Sequence, residues 1–215
     1  MSIALLNLLQ LSDPALPIGS YAHSGGLETY VQEGVVCDRE SAGRWVRDLL
    51  STSVAYTDAA LVALAYKGVG DAGRIGELDR LCEAVKAPKE MRDASRMLGR
   101  RLWKIFEKKM NGVLEGPVHY PVVFGCCAAS IGIGLSEALT GFFYTTAAGM
   151  VTNCVKLVPL GQQDGQELLM GLLPLIAELA ERGLEPEEEM VGLCCTALDI
   201  RCMRHEGLYS RLYMS

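Results

Sequence analysis

Apolar residues recur at intervals of three and four along most of this 215-residue chain. That is the period of helices that bury one face. The opening MSIALLNLLQLSD predicts a first helix ending near Asp13-Pro14. Over 38–66, Trp45, Leu49, Val54, Ala55, Leu61 and Val62 fall near helical spacing, with Asp38 placed as an N-cap. Gly68, Gly70 and Gly73 then break the pattern, and a short helix is expected at about 74–86. Pro88 suits the first turn of the next helix, KEMRDASRMLGRRLWKIFEKKM. Its apolar side is marked by Met91, Leu98, Leu102, Ile105 and Met110, and Gly112, Gly116 and Pro117 mark the loop beyond it.

Two uncharged helices follow, at about 119–133 and 136–156, the second capped by Ser136. Past the loop VPLGQQDG, Asp164 and Glu167 have capping-box spacing. Leu168, Leu172, Leu175, Ile176 and Leu179 make a buried face there, and Pro174 should kink the helix. A last helix is expected from Glu185-Pro186 through EEEMVGLCCTALDIRCM, with its acids at the favourable end of the helix dipole. No run alternates with period two between turn signals. The fold class is therefore all-α, a single-domain bundle of roughly eight to ten helices. A flexible C-terminal tail is expected at about 203–215.

Half of the residues are hydrophobic and 21% are charged, a globular composition. The net charge of −6 argues against nucleic acid, whose binding needs a basic surface. The stretches 116–136 and 138–155 lack acids and bases apart from His119, and are nearly long enough to span a bilayer. Pro117 and Pro121 interrupt the first, and no Lys or Arg cluster flanks the pair. They read as core helices, so no membrane segment is expected. The N-terminal run has no preceding Lys or Arg and is interrupted by Asn7 and Gln10, unlike a secretory signal. The eight cysteines, two adjacent pairs among them, form no CxxC and read as buried small hydrophobes in a reducing, cytoplasmic setting.

Catalytic and cofactor signals are weak. His23, His119 and His205 are far apart, with no HExxH, so no metal site is expected. GVGDAG at 68–73 matches GxGxxG but follows a helix and not a strand, which makes it an interhelix loop. Ser24 lies in AHSGG, not in a GxSxG nucleophile elbow. No cofactor is predicted.

Three features remain. The segment LSDPALPIGSYAHSGGLETYVQEG at 11–34 is stiffened by Pro14 and Pro17, and Gly19 permits a tight turn. It is either a structured loop leading to a helix capped by Ser24, or a surface presenting Ser20, Tyr21 and Ser24 to a partner or ligand. A small-molecule-binding protein or enzyme using the Tyr21–Glu28 loop is the alternative function. Second, Arg92, Arg96, Arg100, Lys104 and Lys108 form a row. Residues 86–109 hold nine bases and three acids, a local balance of +6 that leaves −12 for the remainder. The row is either solvated or able to steer an acidic partner. Third, the tail RCMRHEGLYSRLYMS alternates arginines with Tyr and Leu, residue types of interface hot spots, and is expected to order on a partner.

PIGSYAHSGGLE at 17–28, VKLVPLGQQDGQELL at 155–169 and SRLYMS at 210–215 together resemble the UreF family of urease accessory proteins. The three matches span essentially the whole chain. The resemblance implies an all-α fold, no enzymatic site and a homodimer. It also implies partners: UreD/UreH, then the GTPase UreG, which carries the P-loop and principal nickel site, and through that complex apo-urease. By match to the motifs, Tyr21 and Arg211 are the leading candidates for supporting assembly. The partner-binding set also includes Ser20, Ser24, Glu28, Gly161, Gln162, Tyr209, Leu212 and Tyr213. Pro17, Gly19 and Gly26 are expected to shape the N-terminal motif.

Overall fold

The computed structural model describes residues 3–110, 112, 119–193 and 195–214. The expected Gly116-Pro117 loop, Cys194 and Ser215 lie outside the described residues. Among the described residues there are nine α-helices and no strand. They are α1 (Ile3–Leu11), α2 (Leu27–Gln32), α3 (Arg39–Lys67), α4 (Ala72–Val85), α5 (Lys89–Met110), α6 (Tyr120–Ser130), α7 (Leu135–Leu157), α8 (Gln162–Arg182) and α9 (Thr196–His205). The all-α single-domain bundle predicted from periodicity is the observed architecture.

The core is organised around α6. Residues Pro121 to Ala128 are all buried, which fits an uncharged, all-apolar sequence. It packs between α5 and the last two turns of α3. The approach to α3 is close because Gly125 has no side chain: a Cβ there would lie 2.3 Å from the Val62 carbonyl oxygen. Phe124 meets Phe142 of α7 edge-to-face at 5.1 Å between centroids, and Tyr120 is 5.9 Å from both rings. On the far side, α7 packs along α8.

Most helix limits follow local chemistry. Asp38 accepts the Ser41 amide hydrogen at 2.8 Å, the expected cap of α3. Asp71 does the same for Arg74 at 3.0 Å, so the 68–73 glycine segment is the turn between two helices. α6 ends three residues before the sequence reading, at a Schellman turn. There Gly132 takes φ 75° and Ile133 donates to the Ala128 carbonyl at 3.0 Å. The long helix α3 is not uniform: Leu50–Ala59 is π-helical. Where that stretch begins, the Thr52 hydroxyl donates to the Asp48 carbonyl at 2.6 Å, competing for a backbone acceptor.

Four expectations are corrected. Gly134, not Ser136, precedes the first turn of α7. Asp164 is not the N-cap of α8 but reaches back from its first turn to accept the Gly161 N–H at 2.9 Å. The last helix does not start at Glu185-Pro186. A short 3₁₀ turn, Glu188–Met190, comes first, Gly192 at φ 90° breaks the chain direction, and α9 begins at Thr196. Ile105, placed on the apolar side of α5, is exposed. Pro174 lies inside α8, which continues past it.

Among the described residues α3 is the one helix long and apolar enough to cross a membrane, and 56% of its most apolar window lies inside the protein. The thiols of Cys82, Cys126, Cys127, Cys154 and Cys202 are buried, and burial pushes each up to about 12. They behave as small core residues. Cys37 departs from that expectation and is exposed.

Candidate functional site

The N-terminal motif is a loop built on glycine geometry. Gly19 takes φ 82°, and a Cβ there would fall 2.0 Å from Arg101 Nη1, which donates to the Ile18 carbonyl at 2.9 Å. This glycine lets α5 clamp the loop, while Pro17 sits exposed beside it. Ser20–Ala22 then make one 3₁₀ turn, from which Tyr21 projects at 73% exposure. Asn153 of α7 donates to the His23 carbonyl at 2.9 Å. Ser24 does not cap α2: its hydroxyl is buried and finds no hydrogen-bond partner among the described residues. Gly26, at φ 85°, takes the N-cap position. A Cβ on it would lie 2.7 Å from Cys202 Sγ, so this glycine is where α9 docks against the motif.

α9 is held along α2 by several contacts. The Thr29 hydroxyl donates to the Arg201 carbonyl at 3.0 Å, and the Arg201 guanidinium lies 4.3 Å from the centroid of the Tyr30 ring. Arg201 and Arg204 both meet Glu33, at 2.8 and 2.9 Å. The Arg204 bond is foremost among the contacts that hold the Glu33 carboxyl below its usual range. Burial pushes the Tyr30 hydroxyl up.

Beyond α9 the chain turns back onto the N-terminal motif. Glu28, 3% exposed, accepts the Leu212 amide hydrogen at 2.8 Å and that of Tyr213 at 3.2 Å. Met214 donates to the Ala22 carbonyl at 2.9 Å, and Gln32 donates to the Ser210 carbonyl at 3.1 Å. Tyr213 is buried, while Tyr209, Leu212 and Met214 point outward. Arg211 meets Glu90 of α5 at 2.9 Å. A cleft of about 440 Å³ opens beside this contact, between His23, Met97, Glu206 and Met214.

The structure therefore gathers most of the sequence candidates, but in different roles. Ser20, Tyr21, Ser24, Glu28, Arg211, Leu212 and Tyr213 form one neighbourhood, with Gly19 and Gly26 as its backbone hinges. Tyr209 lies in the same segment, fully exposed. Gly161 and Gln162 are elsewhere, at the start of α8, where Asp164 and Glu167 pair with Arg39 at 3.3 and 2.7 Å. Three members escaped sequence reasoning: Glu90, Arg101 and above all His205. The only local sign for His205 was a histidine at the end of an apolar period.

The basic row divides in two. Arg92 and Arg96 are used internally, meeting Glu83 at 3.7 and 2.5 Å. Arg100, Lys104 and Lys108 are exposed and form no ion pair among the described residues. Glu83 also meets His119 Nε2 at 2.9 Å, and Ser95 Oγ lies 3.1 Å from the other ring nitrogen. Among the described residues no three His, Cys, Asp or Glu side chains converge to hold a metal ion.

A helical chain whose N-terminal motif and C-terminal segment meet at one surface matches known proteins along its length. The UreF family model covers residues 36–173. The urease accessory protein UreF of Actinobacillus pleuropneumoniae serotype 3 is 41% identical over 221 residues, spanning 97% of each chain. That of Haemophilus influenzae is 40% identical, spanning 97% of this chain and 94% of its own. An Arthrobacter relative of the same name is 34% identical over 98% of this chain and 96% of its own. These are accessory proteins of urease, helpers and not enzymes, and that is the class of this protein. The chain belongs to the UreF family.

Proposed function

We propose that this urease accessory protein is a cytoplasmic, homodimeric scaffold in nickel delivery. In this reading it binds UreD/UreH and recruits the GTPase UreG, and the assembly inserts nickel into apo-urease. The supporting observation is the surface where the N-terminal motif meets residues 210–214. The backbone of residues 210–214 is pinned onto the N-terminal motif, while Tyr21, Tyr209, Leu212 and Met214 are left facing outward. Ordered backbone beneath exposed aromatic and apolar side chains is a low-entropy surface for a protein partner. Arg100, Lys104 and Lys108, which form no ion pair among the described residues, offer an acidic partner a second point of attraction.

Co-expression with tagged UreD/UreH and UreG, followed by size-exclusion chromatography with light scattering, tests this reading. Co-elution as a defined complex that captures UreG is expected. Arg211→Ala should reduce complex yield without unfolding the chain, because the side chain lies at the surface. A chain that ignores both partners overturns the scaffold.

A further inference from the structure

We propose that His205 and Glu90 are positioning residues. Together with Glu28 they form a hydrogen-bonded bridge, centred on the buried His205 ring, that fixes residues 208–214 on the N-terminal motif and presents Arg211 to a partner. The second half of this inference rests on the scaffold reading above.

The geometry is specific. His205 closes α9 and is fully buried. Its Nε2 is 3.1 Å from Glu28 Oε2 on α2, and its Nδ1 is 2.6 Å from Glu90 Oε2 on α5. Each carboxylate turns its other oxygen to the C-terminal segment. Glu28 Oε1 takes the Leu212 amide hydrogen, and Glu90 Oε1 takes a hydrogen from the Arg211 guanidinium at 2.9 Å. One ring thus ties two helices together, and through their carboxylates it ties the backbone and the arginine of the same short segment.

Charge makes the arrangement cooperative. An ionised carboxylate oxygen only accepts, so with both carboxylates ionised both ring nitrogens must donate. Arg211 adds a positive charge beside Glu90. A neutral side chain at 205 would leave a buried carboxylate short of a donor, and buried charges tolerate that poorly. Lys89, Asp93, Glu206 and His23 line the adjoining cleft on the open side. Arg211 gives Glu90 one contact while its side chain stays 42% exposed. Its remaining N–H donors suit a carboxylate on the partner.

A purely structural His205 would hold α9 on α2 whether or not the segment beyond it existed. A positioning His205 acts through that segment. The test therefore pairs His205→Gln and Glu90→Gln with a chain lacking residues 208–215, with Arg204→Ala as a control on the same helix. Glu90 is partly exposed, so its variant keeps the test alive if His205→Gln does not fold. Amide exchange over 208–214 in the isolated full chain should accelerate about tenfold or more in both variants, the loss expected for a hydrogen bond to a charged group. Exchange in α6 should not change. Capture of the tagged partners should weaken about tenfold in the full chain, and neither variant should weaken it further in the truncated chain.

Unchanged exchange over 208–214 in the Glu90→Gln chain would overturn the bridge. So would an equal loss of capture with and without the terminal segment. Exchange that responds in a chain capturing no partner would uphold the bridge and overturn the scaffold reading instead.

Discussion

The carboxylate of Glu28 accepts the amide hydrogen of Leu212 at 2.8 Å, closing a loop of 184 residues in the first turn of a six-residue helix. Glu28 is well placed at a helix N-terminus, where a negative charge is favoured. Its carboxylate also takes the Tyr213 amide and faces the His205 ring. One buried side chain therefore holds the end of α9 and the segment beyond it against the start of α2.

Glu28→Gln keeps the shape and removes the charge. Its amide nitrogen would face either a backbone N–H or the imidazole, and neither arrangement restores all the bonds. A loss of about 1.5–3 kcal/mol is expected, the range for hydrogen bonds to charged groups. Urea unfolding followed by circular dichroism measures it, and an unchanged midpoint would show that Glu28 contributes little.

Adjacent glycines should respond unequally. Gly25 and Gly26 both have positive φ, 62° and 85°. A Cβ on Gly25 meets nothing within 4 Å, whereas one on Gly26 meets Cys202 Sγ at 2.7 Å. Gly25→Ala should cost about 1–2 kcal/mol of backbone strain alone. Gly26→Ala should cost about 3 kcal/mol or more, because strain and overpacking add. Equal melting shifts in the two variants would show that α9 does not rest on Gly26.

In the helices the usual sign of Gly→Ala should reverse where a neighbouring backbone already fills the space. Gly171, on the outer face of α8, has open space around it, and Gly171→Ala should stabilise by about 1 kcal/mol through helix propensity. At Gly125 the new methyl would press on the Val62 carbonyl and the Tyr66 nitrogen, the latter at 3.0 Å. Gly125→Ala should destabilise by about 1–3 kcal/mol by forcing α3 and α6 apart. Thermal melts of the two variants moving in opposite directions would bear this out.

Stability should depend on pH through His119 and His23. Burial holds His119 below its usual 6.5 against the opposing pull of Glu83, and burial followed by the Arg101 charge does the same for His23. A depressed value means that the unfolded chain binds protons first. The contribution is complete above 6.5 and is lost as pH falls through the lower folded value. The urea midpoint should therefore be lower at about pH 5.5 than at about pH 7.5, and His119→Gln should flatten that difference. A midpoint that rises on acidification would contradict it.

Helical period was enough to place the buried faces of α3 and α8, because side chains three and four apart share a face whatever surrounds them. Caps at Asp38 and the turn at 68–73 were legible for the same local reason. The start of α9 was not. Acids after Pro186 read as a first helical turn, but Gly192 adopts a left-handed conformation that no local pattern demands, with Val85 packed against it. Ser24 looked like a cap, yet the approach of Cys202 set the helix start at Gly26.

By itself, the sequence determined the all-helical class, the uncharged core helices and the family motifs at both ends and in the middle. Each of those is written in residues near one another along the chain. Only the tertiary structure decided that the two end motifs pack together at one surface. Glu28, Glu90, His205 and Arg211 meet across separations of 115 to 177 residues. A bond at that range depends on how every intervening helix packs, and no local spacing encodes it.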